Sequence, residues 1–82
     1  MSVLIKSVGG KTAEGIANGN FAAMIACARA CDKSVPAWTG FHDCGTVWTP
    51  EQCRIIAGRI EQISQFSSVL REVADDGGMT IS

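Results

Sequence analysis

Thr49-Pro50-Glu51-Gln52 opens the most regular stretch of this 82-residue sequence. Thr49 is an N-cap residue, and Pro50 follows at the first helical position, where a missing N–H costs nothing. Gln52 stands three residues after the cap and completes a capping box. Behind this start, Cys53, Ile56, Ile60, Ile63, Phe66, Leu70 and Val73 recur three or four residues apart, the spacing of one face of an amphipathic helix. Run without a break to Ala74, that helix would hold about 26 residues and reach ~39 Å, too long for a compact domain of this size unless it mediates assembly. A break near 64–68 is expected instead, giving helices at about 50–63 and 65–75. Asp75-Asp76-Gly77-Gly78 ends the second of them, and Met79-Thr80-Ile81-Ser82 reads as a short final strand.

Upstream, a further helix is marked by composition rather than by periodicity. Residues 21–31 read Phe-Ala-Ala-Met-Ile-Ala-Cys-Ala-Arg-Ala-Cys, five alanines among eleven residues with a single charge, which combines high helix propensity with almost no polar face. It is expected over about 20–32, with Asn20 as N-cap, and residues 32–36 end it, Pro36 holding Val35 extended. A helix apolar nearly all round needs cover, yet a chain of this size buries only roughly 60% of its unfolded surface. A second copy of the chain, or a partner, is the expected cover.

Residues 2–8, Ser-Val-Leu-Ile-Lys-Ser-Val, are rich in β-branched and apolar types and are stopped by Gly9-Gly10, the bounding of a short strand. Gly10, Gly15, Gly19, Asn18 and Asn20 mark the following segment as loop, with at most one helical turn over 12–17. The strands at 2–8 and 79–82, joined by a third near 45–48 unless that segment is an irregular loop, are expected to pair with each other or across a subunit boundary. They would pack on two or three helices, at about 20–32, 50–63 and 65–75. The fold class is therefore α+β, in one small domain spanning 1–82.

Seven Lys or Arg stand against eight Asp or Glu, with 46% hydrophobic and 18% charged residues, a balance that folds. The cations are scattered among acids with no basic stripe, so nucleic acid is not an expected partner. A net charge of -1 favours association, and the length leaves no room for a separate cofactor or catalytic domain. No run approaches 18 apolar residues, and the N-terminal residues lack both the basic and the apolar region of a secretory signal, so a cytoplasmic location without membrane contact is expected.

Four residue groups have types that carry chemistry elsewhere. Gly9-Gly10-Lys11-Thr12 after a strand has the end of a phosphate-binding loop, but the pattern needs its first glycine where Ile5 stands, so only weaker anion binding by successive backbone N–H groups is left open. Cys27 and Cys31, four apart on a helix, share a face and would aim two thiolates at one ion, with His42, Cys44 or Cys53 completing the set. Their spacing lacks the tight C-x2-C turn, and buried reduced cysteines without a metal are expected. His42-Asp43-Cys44 contains the types of a nucleophilic site, but an extended chain puts Asp43 on the other side from His42 and Cys44. Trp38, Phe41 and Trp48, on a Gly-containing segment, are either binding anchors or the loop's own core.

These readings point to a small non-catalytic binding protein, an adaptor or inhibitor that engages a protein partner as a homodimer or higher homo-oligomer and needs no cofactor. The second expectation is an oligomeric binder of a small anionic ligand such as a nucleotide, in a pocket made from the 9–20 and 38–46 segments at a subunit boundary. Candidate ligand- or partner-binding residues are Asn18, Asn20, Trp38, Thr39, Phe41, His42, Asp43 and Arg59. A standalone chain of this size also suits a phage or mobile-element product that blocks a host system, an expectation from length rather than from residues.

Overall fold

The computed structural model describes residues 2–38, 45–61 and 65–81. The element order is β1 (Ser2–Ser7), β2 (Ala13–Ala17), α1 (Asn18–Cys31), α2 (Pro50–Ile60), α3 (Phe66–Asp75) and β3 (Met79–Ile81). The fold is α+β: one antiparallel sheet in the order β2-β1-β3 with helices on a single face. The two terminal strands pair directly, Ile5 opposite Ile81 and Ser7 opposite Met79, with β1 in the centre.

The second strand lies where the composition reads as loop. β2 pairs with β1 from Ser2↔Ala17 to Lys6↔Ala13, so residues 13–17 are a strand and not a loop or a helical turn. Their local preference is weak, and the central strand β1 supplies the ladder that overrides it. Gly15 is tolerated because it stands on an edge strand with nothing within 4 Å of where a Cβ would be. Conversely, the segment near 45–48 contributes one isolated bridge, Trp48↔Met79, rather than a third strand.

Residues facing each other across a ladder share a face. Val3, Ile5, Ser7, Ile16, Met79 and Ile81 turn inward and are buried. α1 lies over β1 and β2, α3 lies over β1 and β3, and α2 packs against both helices. α2 buries Cys53, Ile56, Ala57 and Ile60, and α3 buries Leu70, Val73 and Ala74, the face read from the spacing. The Thr49 capping box forms as expected: Gln52 N–H donates to Thr49 Oγ1 at 3.2 Å and Thr49 N–H to Gln52 Oε1 at 2.9 Å. α2 ends at Ile60 and α3 begins at Phe66, so the long helix is broken, as the size of the domain demands.

α1 starts two residues earlier than its composition suggests. Its N-cap is Ala17, extended at φ -61° and ψ 141° with no side-chain cap, because β2 runs directly into the helix. Asn20 therefore lies inside the first turn and caps nothing. At the other end Asp32 Oδ1 accepts from the Ser34 amide and hydroxyl, and Arg29 donates to the Val35 carbonyl, which fixes the buried Val35 against the core. Phe21, Met24, Ile25 and Ala28 face inward. Phe21 stands edge-on to Trp38 at 5.2 Å and to Trp48 at 5.7 Å between ring centroids, geometries that aromatic pairs favour.

β3 is held in place by a close backbone approach. The Trp48 amide donates to Met79 O and the Met79 amide to Trp48 O, at 2.9 and 2.8 Å. Gly78 has φ +105°, and a Cβ there would sit 2.4 Å from the Trp48 carbonyl oxygen, so only glycine fits.

Candidate functional site

The turn after β1 is where the sequence left anion binding open, and its donors are already taken. Gly9 N–H donates to Asp76 O at 2.9 Å and Gly10 N–H to Ser7 O at 3.0 Å. Lys11 N–H donates to Asp76 Oδ2 at 2.8 Å, and Thr12 N–H to Ser7 Oγ at 3.0 Å. Successive N–H groups can form a concavity that attracts an anion, but here they diverge: only the Lys11 amide reaches a carboxylate, that of Asp76, while the others are bound to the Asp76 and Ser7 carbonyls and the Ser7 hydroxyl. Ser7 Oγ–H adds a 2.5 Å bond to Asp76 Oδ2. That hydroxyl bond first, and then the Lys11 amide, hold the Asp76 carboxyl below the ordinary carboxylate value. A Cβ at Gly9 would stand 2.2 Å from Asp76 Oδ1, so a side chain there would displace the Asp76 carboxylate from this position.

The candidate residues from the sequence fall in several places. Trp38 is half-buried beside α1 and, with Ala22, Ile25, Ala26, Arg29 and Ala30, lines an open cavity of about 400 Å³. Its indole Nε1 is buried with no hydrogen-bond partner among the described residues, and so is Asn18 Oδ1 in the first turn of α1. Asn20 is exposed in that same turn, and Arg59 is exposed in the last turn of α2, away from its buried face. Thr39, Phe41, His42 and Asp43 lie outside the described residues, as does Cys44. Trp48 is a core residue at 0% exposure, with its indole N–H donated to Pro36 O at 3.0 Å.

A surface that the sequence reading missed lies on the sheet face away from the helices. Val8, 54% exposed, and Val47, 49% exposed, are the large hydrophobic side chains left in solvent among the described residues. Both line one open groove of about 560 Å³ with Lys6 and Thr80. The outward register of β1, Ser2, Leu4, Lys6 and then Val8, carries the sequence signal: an apolar residue recurs on the face that an ordinary solvated sheet fills with polar ones. Val47 had no such signal, because only the bridge at Trp48 brings it beside β3.

Cys27 is half-buried, Cys31 exposed and Cys53 buried, all as free thiols. Burial pushes the Cys53 thiol up to about 11, so it is protonated and unreactive at neutral pH. Among the described residues no three His, Cys, Asp or Glu side chains stand close enough to hold a metal ion, and no helix is long and apolar enough to cross a membrane. No family model, curated protein or solved structure matches the chain significantly.

Proposed function

We propose that this chain is a small, non-catalytic, cytoplasmic binding protein, an adaptor or inhibitor that engages a protein partner and works as a homo-oligomer. The observation that carries the reading is the one-sided layering of the fold. The helices cover one face of the sheet, and the open face presents Val8 and Val47 to solvent. Exposed apolar groups that share one groove mark interaction surfaces more often than scattered ones do.

The oligomer reading draws its support from α1. Gly19, Ala23, Ala26 and Ala30 are exposed and spaced at four, three and four residues, one line along the helix opposite Phe21, Met24, Ile25 and Ala28. No charge lies on that line, and Arg29 beside it is turned to the Val35 carbonyl. A second α1 can approach it closely without bringing like charges together. The small-anion reading is weaker, because the 9–12 part of its pocket has its backbone donors bound within the chain.

Sedimentation equilibrium of the wild type against Ala26→Glu tests this. The wild type is expected to be a homo-oligomer and the variant a folded monomer with an unchanged circular dichroism spectrum. A wild type that stays monomeric at all concentrations contradicts the oligomer, and a variant that assembles as before removes α1 from it.

A further inference from the structure

Resting on the reading of this chain as a partner-binding protein, we propose that the groove over Lys6 docks a partner segment that carries a carboxylate beside an apolar side chain. The sheet register builds the groove. Lys6 pairs with Ala13 on one side and Thr80 on the other, and the bridge of Trp48 to Met79 sets Val47 beside Thr80. A row therefore crosses the open face in the order Ala13, Lys6, Thr80, Val47, with Val8 in the turn directly after β1. Gly10 and Gly77 also line the groove, so apart from Lys6 its lining is short or apolar residues.

Charge selects the occupant. Lys6 is exposed, is the one titratable group lining the groove and makes no ion pair among the described residues. Neither Asp76 nor Glu14 forms an ion pair with it among the described residues. Asp76 is bound to Ser7 Oγ and the Lys11 amide, and Glu14 pairs with Ile5, which places it on the opposite face of the sheet. The groove thus offers one cation without an ion pair among the described residues, with Val47 across the sheet from it and Val8 two residues further along the chain. A carboxylate next to a leucine-like side chain complements the cation and the valines, while a basic segment meets the lysine ammonium.

Two other occupants fit less well. A second copy docked face to face with the two-fold axis at Lys6 would oppose the lysine with its own equivalent, a like-charge contact that suppresses that pairing. A nucleic acid strand needs a track of several cations, and this groove has one. The Lys6 contribution is that of an exposed pair, which sets choice between partners more than total affinity.

The test is an amide NMR titration of the full chain with two capped tripeptides, acetyl-Leu-Glu-Leu-amide and acetyl-Leu-Lys-Leu-amide. The glutamyl peptide is expected to shift the signals of Lys6, Val8, Val47 and Thr80 and to bind roughly two- to five-fold more tightly than the lysyl peptide. Lys6→Glu is expected to reverse that order with the rest of the spectrum unchanged. Equal response to both peptides, or none up to about 10 mM, overturns the proposal. Shifts confined to α1 overturn this groove as the site while leaving a partner-binding protein standing. A chain that is silent here, monomeric and free of any bound protein overturns both.

Discussion

Ser7 and Asp76, 69 positions apart, share a 2.5 Å hydrogen bond that joins the first hairpin to the end of the last helix. Ser7 is a buried polar residue at 4% exposure, and its hydroxyl is used twice, donating to Asp76 and accepting from the Thr12 amide. Asp76 closes the same arrangement through its own carbonyl to Gly9 and its carboxylate to Lys11. The Asp76 carboxylate thus binds the turn through the Lys11 amide and the Ser7 hydroxyl, while the amides of Gly9 and Gly10 are held by backbone carbonyls.

Ser7→Ala leaves the Thr12 amide and the Asp76 carboxylate each short of a partner. It is expected to cost about 1–2 kcal/mol in denaturant unfolding, with faster hydrogen exchange at the Lys11 and Thr12 amides. Asp76→Asn is expected to speed exchange at the same two amides, because a neutral amide oxygen is the weaker acceptor. Unchanged exchange in both variants would show that the turn holds without the carboxylate.

Acid weakens this latch with a definite sign. The Ser7 hydroxyl and the Lys11 amide lower the Asp76 carboxyl, and the Ser34 hydroxyl and amide lower that of Asp32. A carboxyl lowered by folding adds stability that is fully present above its unfolded value and is lost as pH falls through the folded one. Denaturant midpoints are therefore expected to stay level from neutral pH to about 5 and to fall below about 4. The fall is expected to be shallower in Asp76→Asn; an identical pH profile would show that the latch does not titrate with folding.

Gly78→Ala is expected to be among the most damaging single substitutions. The new Cβ meets the Trp48 carbonyl at 2.4 Å and the backbone is held at φ +105°. Strain and clash together cost about 2–4 kcal/mol, read as a large drop in thermal midpoint with the Trp48 to Met79 bridge broken. Gly15→Ala, where a Cβ has open space, serves as the control and is expected to change the midpoint little.

Thiol reactivity separates the cysteines. In native protein near pH 8, an aromatic disulfide reagent is expected to modify the exposed Cys31 first and the half-buried Cys27 more slowly. Cys53, buried and pushed up to about 11, is expected to react only on unfolding. Peptide mapping that finds Cys53 modified early would show that the α2 core opens readily.

The parts of this fold that were legible in sequence are those fixed by local rules. The Thr49 capping box and the glycine stop after α3 act within a few residues and stand as read; of the spaced apolar face Cys53, Ile56, Ile60, Leu70 and Val73 are buried, Phe66 is half-buried, and Ile63 lies outside the described residues. β2 was not legible, because Ala13-Glu14-Gly15-Ile16-Ala17 has one large apolar residue and takes its strand from β1. The start of α1 was misplaced for the same reason, since β2 leads straight into it. Asp76 as the partner of the Ser7 turn left no local trace, and the groove over Lys6 exists only once β3 and Val47 are laid beside β1. Of the candidate site residues, Trp38, Asn18 and Asn20 belong to α1 and its flank, whereas Arg59 sits on the exposed side of α2.

Native mass spectrometry of the protein purified from cells without chelator tests the central claim most directly, because one spectrum reports subunit number and every retained mass. The expected result is a homo-oligomer, with or without a stoichiometric protein partner, and with no added mass of nucleotide size. A bare monomer at all concentrations, or an oligomer that retains a small anion, would contradict it.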